Sequence, residues 1–127
     1  MELNDYQKQA MTTCLPPCDN IAYMAMNLCG EVGELHSKLA KAIRKGKLFI
    51  TTSPGRDSEG LITMSQTHTL NDEEMADIEK ECGDIAWMLA GVCTVLGFKL
   101  EDVCRQNLDK LASRKQRHLI DGDGDNR

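Results

Sequence analysis

The residues that most constrain this chain are those that stop a helix. Pro16-Pro17, Gly46 and Gly97 interrupt it at intervals that leave long stretches with apolar residues at a helical period. Four helices are therefore predicted. The first spans about Asn4 to Cys14 and the second runs from a cap at Asp19 or Asn20 to about Arg44. The third runs from near Asn71 to Gly97, with Asp72, Glu73 and Glu74 in its first turn, and the fourth spans about Leu100 to Arg117. Aromatic residues make up only 4% of the 127 residues, so the core must come from Leu, Ile, Val, Met and Ala, a set that favours helix. The expected fold is all-α, a four-helix bundle-like protomer. One chain of this size has little core to spare, so assembly into a homodimer or homotetramer is expected as well.

Between Lys47 and Leu70 the helical period is lost. Leu48 to Thr52 and Leu61 to Met64 have strand-like composition, with Ser53-Pro54-Gly55 as a turn between them. A small β-hairpin and a flexible flap are both consistent with this segment, which reads as an insertion at 47–70 in a single domain covering 1–127. Residues 119–127 read as an irregular tail. Within it, Asp121, Asp123 and Asp125 imitate the start of a calcium loop without its closing Glu.

Composition narrows the function. A net charge of -5 disfavours a nucleic-acid polymer as partner. Met1 to Met11 is polar, with no signal-peptide core, and the apolar run Ile85 to Phe98 is too short to span a bilayer. A cytoplasmic protein without a membrane partner is expected, and its six cysteines are expected as free thiols. Cys82, Cys93 and Cys104 fall at apolar helical positions and read as small core residues. Cys14 and Cys18 lack a second Cys or His pair at zinc-site spacing.

The chemistry lies in acidic residues beside apolar stripes. At about 100° per residue, Glu31 and Glu34 share a face of the second helix with Met24, Leu28, Leu35 and Leu39. Glu81 and Asp84 repeat the spacing on the third helix, beside Ile78, Ile85, Leu89 and Val92. A carboxylate at the edge of a core is costly unless it is paired or metal-bound. Two such pairs on facing helices would gather four carboxylates around one point, and their repulsion calls for a cation. Hard oxygen ligands suit Mg²⁺, with Mn²⁺ the next choice. Acidic pairs at this spacing are also common on solvated helix faces, so one pair alone would carry no such inference.

Asn107, Lys110 and Arg114 share one face of the fourth helix at i, i+3 and i+7, beside Leu100, Cys104 and Leu111. Such a basic strip suits phosphate, although basic side chains also gather near helix C-termini for other reasons. Trp87 has two readings, a ring stacked on a base or a core or interface residue. Lys38, one turn after Glu34, is a phosphate contact or an exposed lysine. His36 and His68 lack a partner acid and read as surface residues.

These residues resemble a known family. Glu31-Val-Gly-Glu34 followed by Glu81-Cys-Gly-Asp84 is similar to the ExxE…ExxD signature of the all-α nucleoside triphosphate pyrophosphohydrolases. Asn107-Leu-Asp-Lys110-Leu-Ala-Ser-Arg114 is similar to the N-x-x-K-x-x-x-R stretch of MazG-like members. The resemblance implies hydrolysis of a nucleoside triphosphate between its α and β phosphates, giving a monophosphate and pyrophosphate. It makes Glu31, Glu34, Glu81 and Asp84 the Mg²⁺ ligands and catalytic carboxylates. It makes Lys110 and Arg114, helped by Asn107, the phosphate contacts. The connection between the acidic pairs is longer than usual for such enzymes, which bears on substrate choice. Narrower all-α dUTPases and dCTP pyrophosphatases carry related signatures, and a non-catalytic helical adaptor would share the stripes. A di-iron bundle would need Glu-x-x-His, which no Glu here provides.

Overall fold

A computed structural model describes residues 1–120, apart from the side chains of Ser53 and Pro54. The tail that sequence reading made irregular, with its calcium-loop imitation, lies beyond residue 120 and so largely outside the described residues. The chain is mostly helical. Helix α1 spans Leu3–Met11, α2 Ile21–Arg44, α3 Asp72–Val95 and α4 Leu100–Gln116, with a short 3-10 turn at Pro16–Cys18. Strands β1 (Leu48–Arg56) and β2 (Ile62–His68) stand between α2 and α3.

Local chemistry explains most boundaries. Helix α1 stops three residues earlier than expected, because the hydroxyls of Thr12 and Thr13 turn back onto the carbonyls of Gln9 and Ala10 at 2.6 and 2.7 Å. Of the two candidate caps for α2, the structure uses Asn20, whose Oδ1 accepts from the Tyr23 N–H at 2.9 Å. Helix α3 opens on a capping box. Asn71 Oδ1 accepts from the Glu74 N–H, and Glu74 Oε2 accepts from the Asn71 N–H.

Three helices end in the same way. At Gly46 (φ 64°) the Lys47 N–H reaches Ala42 O and the Gly46 N–H reaches Ile43 O. At Gly97 (φ 74°) the Phe98 and Gly97 N–H groups reach Cys93 O and Thr94 O. The third such end, after α4, places His118 at φ 56°, a backbone region that costs a side-chain-bearing residue free energy.

Of the hairpin and the flap, the structure has the hairpin. The strands pair antiparallel, with Leu48 opposite His68 and Thr52 opposite Met64. The expected turn at Ser53-Pro54-Gly55 is corrected: these residues belong to β1, at an irregularity between Thr52 and Arg56. A bulge tolerates a proline, which has no N–H to pair. The chain reverses instead at Asp57 to Leu61. There Asp57 Oδ1 accepts from the Glu59 and Leu61 N–H groups, and Gly60 takes φ 79°.

The chain forms two compact units, and α2 and α3 contribute to both. The first comprises Met1–Ala25 and Trp87–Arg127. In it Ala90, Cys93 and Leu100 are buried together, with Tyr6, Met11, Val103 and Cys104 packed on them. Gln7 ties α1 to the α3–α4 turn: its Nε2 donates to Phe98 O at 2.9 Å, and its Oε1 accepts from the Leu100 N–H at 2.8 Å. Met24 is fully buried against Gly91, and a Cβ at Gly91 would lie 2.8 Å from its Cε.

The second unit, Met26–Ala86, holds the hairpin and the acidic segments of α2 and α3. On the apolar faces predicted for α2 and α3, Leu28, Leu35, Leu39, Ile78 and Ile85 are half-buried. All six cysteines are free, as expected, but Cys82 is exposed, so its reading as a core residue is corrected. Position 82 turns outward because its neighbour Glu81 takes the inward position. No single helix among the described residues is long and apolar enough to cross a membrane.

Candidate metal centre

The i, i+3 spacing on α2 points Glu31 and Glu34 to one side, and Glu81 of α3 meets them. One carboxylate oxygen from each of these three residues lies within 4.8 Å of the others. Their environments differ. Glu34 is exposed, Glu31 is half-buried, and Glu81 is only 6% exposed. Asp84 is exposed and outside the three-oxygen grouping, yet its charge acts on Glu31. Burial pushes the Glu31 carboxyl above the usual carboxylate range, and the charges of Asp84, Glu34 and Glu81 push it further. Asn27, one turn earlier on α2, opposes this by donating from Nδ2 to Glu31 Oε1 at 3.1 Å.

Glu81 is held by Lys38, which helical spacing places one turn after Glu34 without indicating a partner on α3. Lys38 Nζ lies 2.6 Å from Glu81 Oε1 and donates to Asp77 O at 2.9 Å. The expectation of an exposed lysine is therefore corrected: Lys38 is half-buried and ion-paired across α2 and α3. The other oxygen, Glu81 Oε2, is buried and has no hydrogen-bond partner among the described residues. A buried acceptor without a partner is costly, and a cation is the kind of group that would satisfy it. Three hard oxygen donors from two helices, one with an orphaned oxygen, fit a divalent ion such as Mg²⁺ or Mn²⁺.

The basic strip belongs to the other unit. Asn107 and Lys110 are exposed on α4, and Arg114 is buried there at 5% exposure. Trp87 lies in that unit too. Its indole N–H donates to Ala10 O at 3.1 Å and to Thr13 Oγ1 at 3.0 Å, which gives the ring a packing role on α1. Sequence reasoning missed Asn27 as a partner of Glu31, although its position four residues before Glu31 was a signal. It also missed Lys47, which pairs with Glu74 at the base of the hairpin.

The chain is mostly helical, and α2 and α3 bring together three carboxylates that could hold a metal ion. The family model of the MazG nucleotide pyrophosphohydrolase domain matches residues 20–119. The chain belongs to that family, whose members are hydrolases acting on acid anhydrides. It is also 35% identical to the "Gene 37 protein" of Mycobacterium phage L5 over 134 aligned positions, covering all of both chains. No solved structure matches it significantly.

Proposed function

We propose that this protein hydrolyses a nucleoside triphosphate at the α–β phosphoanhydride, releasing a nucleoside monophosphate and pyrophosphate, with Mg²⁺ as its working ion and Mn²⁺ as a substitute. The observation that carries this reading is the meeting of Glu31, Glu34 and Glu81, with a buried Glu81 oxygen left without a partner. Those three residues would hold the ion, and Asp84 adds negative charge at the same place. A bound divalent ion supplies charge neutralisation for the polyphosphate and a water activated for attack on phosphorus. Glu31 or Glu34 would be the carboxylate to orient an attacking water and take its proton, and Glu34 is the exposed one of the two. Asn107, Lys110 and Arg114 are given phosphate contacts on the strength of their motif alone. Self-association into a dimer or tetramer belongs to the same proposal.

A panel of nucleotides assayed for pyrophosphate release, with Mg²⁺ and with chelator, tests it. The panel includes dUTP and dCTP, so a narrow specificity would be seen directly. Glu34→Gln and Asp84→Asn are expected to lower turnover by about a hundredfold or more. Wild-type turnover in either variant, or no pyrophosphate from any nucleotide, would remove the assignment.

A further inference from the structure

Beside the acidic grouping, and within the same unit, lies a pocket of about 270 Å³. Its charged lining is Lys38 and Lys41 from α2, Lys45 and Lys47 from the turn between α2 and β1, and Glu74 and Asp77 from α3. Lys47 is engaged by Glu74, and Lys38 by Glu81. Lys41 and Lys45 make no ion pair among the described residues, although both face the same concavity. Like charges one turn apart repel. Lys45 also acts through its charge on Glu74, but with four lysines against Glu74 and Asp77 the lining keeps an excess of positive charge for whatever enters.

Lys38 joins this pocket to the carboxylates. It lines the pocket and contacts Glu81 at 2.6 Å, so the acidic centre and the basic pocket share a wall. Among the described residues no aromatic side chain lines the pocket, and the rest of that lining is Ala42, Leu70 and Ile78. That composition suits compact anions better than a nucleobase, because ammonium groups recognise phosphate as point charges.

We infer that this pocket is an anion subsite for the terminal phosphates of the substrate, with Lys41 and Lys45 as its binding residues. The triphosphate would then run from the acidic grouping, past Lys38, toward the C-terminal end of α2, and its orientation would be fixed by charge of opposite sign at its two ends. This rests on the pyrophosphohydrolase reading proposed above. The carbonyl end of α2 itself repels anions, so the attraction must come from the side chains. Removing them should abolish it.

The test is calorimetric titration of inorganic pyrophosphate into the wild-type chain and into a Lys41→Met/Lys45→Met variant, in Mg²⁺ and in metal-free buffer. Lys45→Glu serves as a second variant, and circular dichroism checks that each is folded. The double variant is expected to bind pyrophosphate about tenfold more weakly in both buffers. Its Mg²⁺-induced rise in Tm and its affinity for a nucleoside monophosphate should match the wild type. Pyrophosphate affinity within about twofold of wild type would overturn the subsite. So would an equal loss of monophosphate affinity. If the wild type shows no Mg²⁺ response but still binds pyrophosphate through these lysines, the anion subsite is supported and the metal reading fails.

Discussion

At the scale of single residues, Glu31 shows how a site trades stability for chemistry. Burial and three neighbouring acids raise its carboxyl above the usual range, so the fold favours its protonated form. A carboxyl raised in the folded state contributes stability that is full below its unfolded pKa and lost as pH rises through the folded value. At neutral pH an ionised Glu31 therefore works against folding unless a cation joins it. Glu31→Gln is expected to raise the Tm of the metal-free chain at neutral pH and to flatten its decline from acid to neutral pH. The same variant should lose most of the Tm increase produced by Mg²⁺. Thermal scans across the carboxylate range, with and without the ion, check both. A Gln variant that melts lower than wild type without metal and responds fully to Mg²⁺ would contradict this account of Glu31.

Among the elements, helix ends and one helix crossing carry the measurable consequences. His118 occupies the left-handed cap position that Gly46 and Gly97 fill elsewhere, with the same pair of hydrogen bonds behind it. His118→Gly is expected to stabilise the chain by about 1 kcal/mol, read as a higher urea midpoint at unchanged slope. The opposite sign is expected at Gly91. Its missing Cβ leaves room for the end of the Met24 side chain, which is fully buried and would have to shift to admit one. Gly91→Ala should destabilise by about 1 kcal/mol, the overpacking outweighing the better helix propensity of alanine. Urea unfolding monitored by far-ultraviolet circular dichroism gives that difference, and a more stable alanine variant would show that Met24 repacks freely.

For the whole molecule, the exposed apolar surface is the main feature. Among the described residues the buried hydrophobic set is small: Met24, Ala42, Met88, Ala90, Cys93 and Leu100. Met26, Ile43, Leu96, Phe98 and Leu108 are each 47% exposed or more. An isolated two-stranded hairpin is marginal in water, and every residue of β2 is exposed. A small chain with this much uncovered apolar surface gains by burying it against a copy of itself. Sedimentation equilibrium is expected to give a dimer or tetramer mass, with a Tm that rises with protein concentration. A monomer at every concentration, with a constant Tm, would remove the self-association proposal.

Local signals in the sequence determined the helices: Pro16-Pro17, Gly46 and Gly97 act through backbone geometry within a few residues, so their effect is readable without a fold. The two acid pairs were readable for the same reason, since i, i+3 spacing on a helix is a local property. The turn at Asp57 to Leu61 was misplaced because a proline and a glycine mark a bulge as readily as a turn, and the strand register decides which. Tertiary structure alone decided that Glu81 buries one oxygen without a partner and gives the other to Lys38, and that Lys41 and Lys45 line one concavity with Lys47. Those facts depend on residues 27 to 43 positions apart in the chain being brought together by packing, and helical periodicity carries no record of which faces meet.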